Sequence, residues 1–150
     1  MSMLRNNWLN DYLKAGNSST SKEVLEVLSA HEDARIRRRV AENESTPERI
    51  LERLACDSDP DVRLAAGTNC ATPVDLVFAL ILDEDPTVRH GLAEDPLTPI
   101  GVLRKLALDE NAYVSHRAQK TLASLQKQWS KNKETNLVAF PIANTGCFAT

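Results

Sequence analysis

The stretch DSDPDVRLAAGTNCATP at residues 57–73 returns 26 residues later as DEDPTVRHGLAEDPLTP at residues 83–99. The same interval separates three Thr-Pro pairs, at 46–47, 72–73 and 98–99, and three pairs of an aliphatic residue with Arg, at 36–37, 62–63 and 88–89. A fixed period of this length is typical of a chain that stacks copies of one small module.

The repeat covers most of the chain. Four copies occupy residues 8–33, 34–59, 60–85 and 86–111, and a partial copy follows at 112–125. Each copy predicts two short helices. The first begins after Asp-Pro, because proline is tolerated in an opening turn. It ends at a column of residues that accept left-handed or capping geometry: Asn43, Asn69 and Asp95. The second begins with Thr72 as N-cap and Pro73 behind it, and runs for about ten residues.

The second helices repeat three aliphatic residues at matching positions: Val24, Leu25 and Leu28, then Ile50, Leu51 and Leu54, then Leu76, Val77 and Leu80, then Val102, Leu103 and Leu106. One module cannot bury this stripe alone, whereas stacked modules can. The sequence therefore predicts an all-α, right-handed α-solenoid of about four and a half two-helix repeats of 26 residues. Residues 1–125 would form the repeat domain, with an N-terminal capping helix containing Trp8 and Tyr12. Residues 126–150 are predicted to be a linker and a partly flexible C-terminal tail.

The repeated pattern VRxxxAxxxxTPxxxLxxLxxDxDP resembles the leucine-rich repeat variant family, which is HEAT-like in style. The resemblance covers roughly residues 8–125 and implies a helical scaffold. Some members of that family carry a cysteine-rich iron–sulfur module at the N-terminus. Residues 1–55 of this chain contain no cysteine, so we expect no cofactor.

Composition disfavours several classes of protein. The 150-residue chain has a formal charge of −3, which does not suggest general affinity for nucleic acid. Its three cysteines lack CxxC spacing, so a zinc site or disulfide framework is not expected, and Cys56 and Cys70 are interpreted as small apolar core residues. The N-terminus is too polar for a signal peptide and no apolar run reaches membrane-spanning length, so a cytoplasmic location is predicted.

Two sets of arginines invite a functional interpretation. Arg37, Arg63 and Arg89 recur at the repeat period, which favours a structural ladder bridging to Asp59 and Asp85 and to helix-end carbonyls over an anion site. By contrast, Arg35, Arg38 and Arg39 belong to one copy only and form a possible anion-binding cluster. Nearby acidic residues and the lack of neighbouring stacking aromatics favour a solvated helix face over a nucleic-acid site.

Catalytic and metal-binding patterns are weak. His90 and His116 share one repeat column, but two histidines need further ligands to hold a metal. The chain contains no nucleophile–base motif and no glycine-rich phosphate loop. We therefore predict no enzymatic activity and no metal.

The second helices differ in the columns outside the aliphatic stripe. The second copy is charged there, with Glu48, Arg49, Glu52 and Arg53. The following copies carry an apolar band that consists of Val74, Phe78, Leu82, Ile100 and Leu108, with Arg104 and Lys105 at its rim. A helix that is apolar on nearly every side is buried against something.

The sequence thus predicts a scaffold or adaptor that binds through this band. The partner is another protein, a second copy of the chain in a homodimer, or the chain's own tail through LVAFPI at 137–142. The alternative for the band itself is that it thickens the core. The alternative function is nucleic-acid binding through the cluster at 35–39.

Overall fold

The computed structural model describes the backbone of residues 2–134 and the side chains of residues 7–131. These residues form nine α-helices and no strand: α1 Ser2–Ala15, α2 Lys22–Leu28, α3 Ala34–Ala41, α4 Glu48–Leu54, α5 Pro60–Thr68, α6 Val74–Leu80, α7 Pro86–Glu94, α8 Ile100–Leu106 and α9 Ala112–Glu134. The predicted all-α class is confirmed. Within the described range, each helix is too short or too polar to cross a bilayer.

The chain divides into two compact units, one ending at Leu76 and the other beginning at Val77. In the N-terminal unit, α3 packs between α1 and α5, while α2 and α4 pack along these first helices. Aliphatic residues fill the interior because each helix turns one apolar stripe inward. The fully buried side chains include Leu25, Ile36, Val40, Ile50, Leu51, Leu54 and Val62.

In the C-terminal unit, α7, α8 and α9 pack against one another. Its buried side chains are Val77, Leu80, Val88, Leu92, Ala93, Val102, Leu103, Leu106, Val114 and Ala118. Across both units, ten of the twelve predicted stripe positions are thus buried, whereas Leu76 is half-buried and Val24 is exposed. The 26-residue pattern therefore identified the core correctly.

Aspartates at one repeat position cap the first helices. The carboxylates of Asp33, Asp59 and Asp85 accept hydrogen bonds from backbone N–H groups two residues on, at 2.9, 2.9 and 2.8 Å. Proline follows Asp59 and Asp85 as the first helical residue. These caps satisfy N–H groups that have no partner inside the helix, as the Asp-Pro pattern predicted.

Other local predictions need correction. Thr46 and Thr72 do not cap the second helices; their buried hydroxyls donate back to the carbonyls of Val40 and Ala66. Those carbonyls lie in the last turns of α3 and α5, where they also accept hydrogen bonds from the backbone N–H groups of Asn43 and Asn69. The second helices begin after the prolines and span seven residues rather than about ten.

The asparagine column ends the first helices as predicted, since Asn69 and Asp95 are the C-caps of α5 and α7, but not through left-handed geometry. Asn69 has φ −70° and ψ 136°, an extended rather than left-handed conformation. The Asn43 amide donates to the carbonyls of Ala15 and Asn17, at 2.8 and 2.9 Å, and Asn69 repeats this contact one module later, onto Ala41 and Asn43. Asn43 and Asn69 therefore each tie a helix end to the preceding copy.

The last described helix runs through the predicted linker. α9 extends from Ala112 to Glu134, so residues 126–134 are helical. The remainder of the predicted tail, including LVAFPI at 137–142, lies outside the described residues.

Candidate protein-binding surface

α8 carries its apolar residues on two faces. Its inner face packs into the unit through buried Val102, Leu103 and Leu106. Ile100, on its outer face, is 47% exposed, and Leu108, in the turn directly after the helix, is 86% exposed. A hydrogen bond from Leu108 N to the Lys105 carbonyl, 3.0 Å long, continues the turn past the end of the helix.

Positive charge lies within this outer face. Arg104, exposed, is four residues from both Ile100 and Leu108, and residues four apart share one face of a helix. We call Ile100, Arg104, Lys105 and Leu108 the α8 surface. All four residues were predicted as binding residues, and all are exposed.

Phe78 covers part of α8 beside this surface. The ring lies over Gly101, where an added Cβ would be 3.1 Å from the Phe78 Cζ atom. The Lys105 amine lies 5.4 Å from the ring centroid, a cation–π distance. Phe78 is consequently half-buried. Its ring packs against α8 and is not a fully exposed side chain that a partner could bury. Sequence reasoning missed Gly101, although Arg49 and Asp75 at its repeat position mark it as unusual.

The alternative prediction, that the whole band thickens the core, is wrong for its leucines. Leu82 is 84% exposed in the turn after α6, at the repeat position that Leu108 occupies one module later. Val74, at the start of α6, is also exposed and belongs to the N-terminal unit. These apolar side chains are therefore not part of the buried core of either unit.

At the equivalent positions of the N-terminal unit, charged side chains form ion pairs with one another. Glu26 of α2 forms ion pairs with Arg49 at 2.9 Å and with Arg53 at 2.6 Å, both on α4. The hydrogen bond from Arg53 holds the pKa of Glu26 below its ordinary value. Both arginines of this face are thus paired, in contrast to Arg104 of the α8 surface.

The recurring arginines form the structural ladder, but with different aspartates from those predicted. Arg37 binds Asp57 through Nε and Nη2, both at 2.7 Å, and Arg89 binds Asp109 in the same way at 2.8 and 3.1 Å. Asp59 and Asp85 are occupied as helix caps. The predicted carbonyl contacts are present, including those from Arg63 to Asp57 and Ser58.

Burial and pairing set the protonation of these aspartates. Burial alone would raise the pKa of Asp57, but hydrogen bonds from Arg37 and from the Asp59 backbone outweigh it and lower the pKa. For Asp109, the hydrogen bonds from Arg89 are the main cause of a lowered pKa. Both carboxylates are therefore stabilised in their charged form.

The cluster Arg35, Arg38 and Arg39 is paired with carboxylates. Arg35 binds Asp33 at 2.6 Å, whereas Arg38 and Arg39 both bind Glu42, at 2.8 and 3.1 Å. These contacts leave little positive field for a nucleic-acid backbone.

The prediction that no aromatic residue lies near this cluster is wrong. Trp8 and Tyr12 stack at 5.2 Å, with the guanidinium groups of Arg35 and Arg39 at 4.8 and 5.7 Å from their ring centroids. Trp8 also donates to Asp33 at 2.9 Å. The helical spacing of residues 8 and 12 was visible in the sequence, but the packing of α1 on α3 was needed to join them to the arginines.

The remaining candidates do not assemble into a site. Among the side chains that the structure describes, no group of three His, Cys, Asp or Glu residues is placed to hold a metal ion. His90 is half-buried and His116 is exposed. Cys56 is an exposed free thiol, and Cys70, also exposed, is disulfide-bonded, so the interpretation of both as core residues was wrong.

Comparison with known proteins adds no assignment. No protein-family model, curated protein or solved structure matches the chain. The resemblance to leucine-rich repeat variants therefore stays a prediction from the repeat pattern.

Proposed function

We propose that this chain is a non-enzymatic scaffold or adaptor, an α-solenoid of about four and a half 26-residue repeats of the leucine-rich repeat variant type. It binds a protein partner, or a second copy of itself, through the exposed apolar residues of the later repeats. The observation that carries the proposal is the exposure of Ile100, 47%, at the start of α8 and of Leu108, 86%, in the turn directly after it.

Large apolar side chains gathered on one helix face are typical of interaction sites. Burying a leucine fully stabilises a complex by about 1.5–3 kcal/mol, so two such residues can anchor an interface. Single exposed leucines are common on protein surfaces. Here the apolar residues recur on consecutive copies at one repeat position, as Leu82 and Leu108. That recurrence favours a binding role over chance exposure.

The competing function has weaker support. Nucleic-acid binding would use Arg35, Arg38 and Arg39, but each of these is already paired with a carboxylate. The two stacked rings beside them are in turn covered by Arg35 and Arg39. The cluster is accounted for by the packing of α1 on α3, so we retain the protein-binding proposal.

A displayed library of helical peptides, selected on the full chain, tests the proposal. Enriched peptides are then measured against Leu108→Gln and against Leu97→Gln as the matched control. Leu97 is 82% exposed, in the turn between α7 and α8 rather than on the α8 surface. We expect Leu108→Gln to weaken binding at least about tenfold, or roughly 1.4 kcal/mol, and Leu97→Gln to leave it unchanged.

Sedimentation of the same variants covers the case of self-association. If the chain dimerises through the α8 surface, Leu108→Gln shifts it to monomer and Leu97→Gln does not. The proposal fails if the selected peptides bind both variants equally and the wild-type chain is also monomeric at every concentration.

A further inference from the structure

We infer that the partner of the α8 surface is an acidic amphipathic helix of another protein, whose carboxylates pair with Arg104 and Lys105 while its apolar face covers Ile100 and Leu108. This inference rests on the proposed function and adds the chemistry of the partner.

The bonding state of the arginines is the first argument. Nine of the ten arginines with described side chains bond to carboxylates or backbone carbonyls: Arg35, Arg37, Arg38, Arg39, Arg49, Arg53, Arg63, Arg89 and Arg117. Arg104 is the tenth, and its side chain has neither a hydrogen bond nor an ion pair among the described residues. In a chain that otherwise pairs its arginines so consistently, an unpaired guanidinium marks a place where a carboxylate is supplied from outside.

The surroundings of Arg104 are the second argument. Ile100 and Leu108 lie four residues to either side, and Lys105 lies beside it above the Phe78 ring. Two cations are thus set, along the chain, between apolar residues at the two ends of α8, a helix of seven residues and about 10 Å. A partner helix of two to three turns spans this distance, with one or two carboxylates between its own apolar residues.

A helix fits this surface better than an extended peptide. The described part of the C-terminal unit consists of helices and turns, with no strand edge to bond an extended backbone. A helix satisfies its own backbone groups and can present residues spaced by three and four to the α8 surface. The occupant is therefore a preformed or induced amphipathic helix.

Charge argues against the chain's own tail as the occupant. Residues 135–150, TNLVAFPIANTGCFAT, contain no aspartate or glutamate, so their side chains offer no carboxylate to Arg104 and Lys105. A second copy docked by a two-fold axis through α8 would face these cations with the same cations. Both occupants leave the positive charge uncompensated at the centre of the contact.

Charge also argues against an anionic membrane. Glu84 and Glu110 are exposed directly beyond Leu82 and Leu108, so the apolar residues that would enter the lipid are bordered by negative charge. The same glutamates also restrict how the partner helix is oriented. Its acidic residues are repelled by Glu110 and therefore lie opposite Arg104, away from the end of the surface nearest Glu110. Such arrangements mainly fix orientation and exclude wrong partners.

The test is a selection from a displayed library of amphipathic helices in which the positions flanking the apolar face are randomised equally among Glu, Gln and Lys. On the wild-type full chain we expect enrichment of Glu at these positions. On the double variant Arg104→Glu, Lys105→Glu we expect enrichment of Lys instead. A synthetic winning peptide should bind Arg104→Gln about fivefold more weakly than wild type, roughly 1 kcal/mol, and its Glu→Gln form should lose this difference.

Each outcome decides one question. Winners without charge bias, or the same bias on the charge-reversed chain, overturn the acidic partner while leaving the proposed binding surface in place. Dimerisation lost in Leu108→Gln, with no winning peptides, also overturns it and assigns the surface to a second copy. If the wild-type chain sediments with vesicles of phosphatidylserine and phosphatidylcholine and Leu108→Gln does not, the acidic partner is overturned and the surface is assigned to a membrane. Winners that bind Leu108→Gln as well as wild type overturn the acidic partner, and if the wild-type chain is also monomeric at every concentration, they remove the proposed function as well.

Discussion

Replacing Arg89 with methionine separates the structural ladder from an anion-binding site. The Arg89 side chain is 10% exposed and its partner, Asp109, is 7% exposed. Arg89 donates two hydrogen bonds to that carboxylate and a third, 2.7 Å long, to the Asp83 carbonyl. Methionine removes all three bonds, keeps most of the apolar stem and leaves Asp109 buried without its counter-charge.

The expected loss of stability follows from this geometry. Removing one partner of a buried ion pair costs about 3–5 kcal/mol. Asp109 retains a hydrogen bond from the Asn111 N–H, 2.8 Å long, so we expect the lower end, about 3 kcal/mol. For a urea slope of about 2 kcal/mol/M, the unfolding midpoint falls by about 1.5 M. Far-UV circular dichroism during urea titration measures this shift.

Two further variants make the result decisive. Arg104→Met removes an exposed arginine without partners and should change the free energy of unfolding by less than about 0.5 kcal/mol. Arg89→Met with Asp109→Leu removes both charges and should recover about half of the loss, because no buried charge is left unpaired. The reasoning is refuted if Arg89→Met costs no more than Arg104→Met, or if the double variant is the less stable of the two Arg89 variants.

Two other predictions concern polar side chains that join helices, one in each unit. Asn43→Ala leaves the two carbonyls at the end of α1 without their buried donor, and should cost about 2 kcal/mol in urea titration, whereas exposed Glu44→Ala should cost almost nothing. Because Arg89 lowers the pKa of Asp109 in the folded chain, this group stabilises the fold above the unfolded pKa of about 3.9, and the contribution is lost as the pH falls through the folded value. The urea concentration at the unfolding midpoint should therefore fall as the pH is lowered from about 5 to about 3, and it should fall less steeply in Asp109→Asn. Equal slopes in the two proteins would contradict the assignment.

Some parts of the binding surface were visible in the residue pattern and others were not. The exposure of Leu82 and Leu108 followed from their places outside the aliphatic stripe. The half-buried state of Phe78 did not, because it depends on α8 presenting Gly101 where other copies have long side chains. The isolation of Arg104 was equally invisible, since it depends on where every neighbouring carboxylate points.

The sequence alone determined the helical class, the repeat period, the aspartate caps and the buried stripe. These features depend on contacts within a few residues or on a strict period, which makes them readable from the chain. Tertiary structure decided the partners of long polar side chains. Arg37 reaches Asp57, twenty positions away, rather than Asp59, and Asn43 reaches back to α1. Arginine and asparagine bond to whatever acceptor helix packing brings within about 3 Å, and several repeat columns offer acceptors that only packing can tell apart.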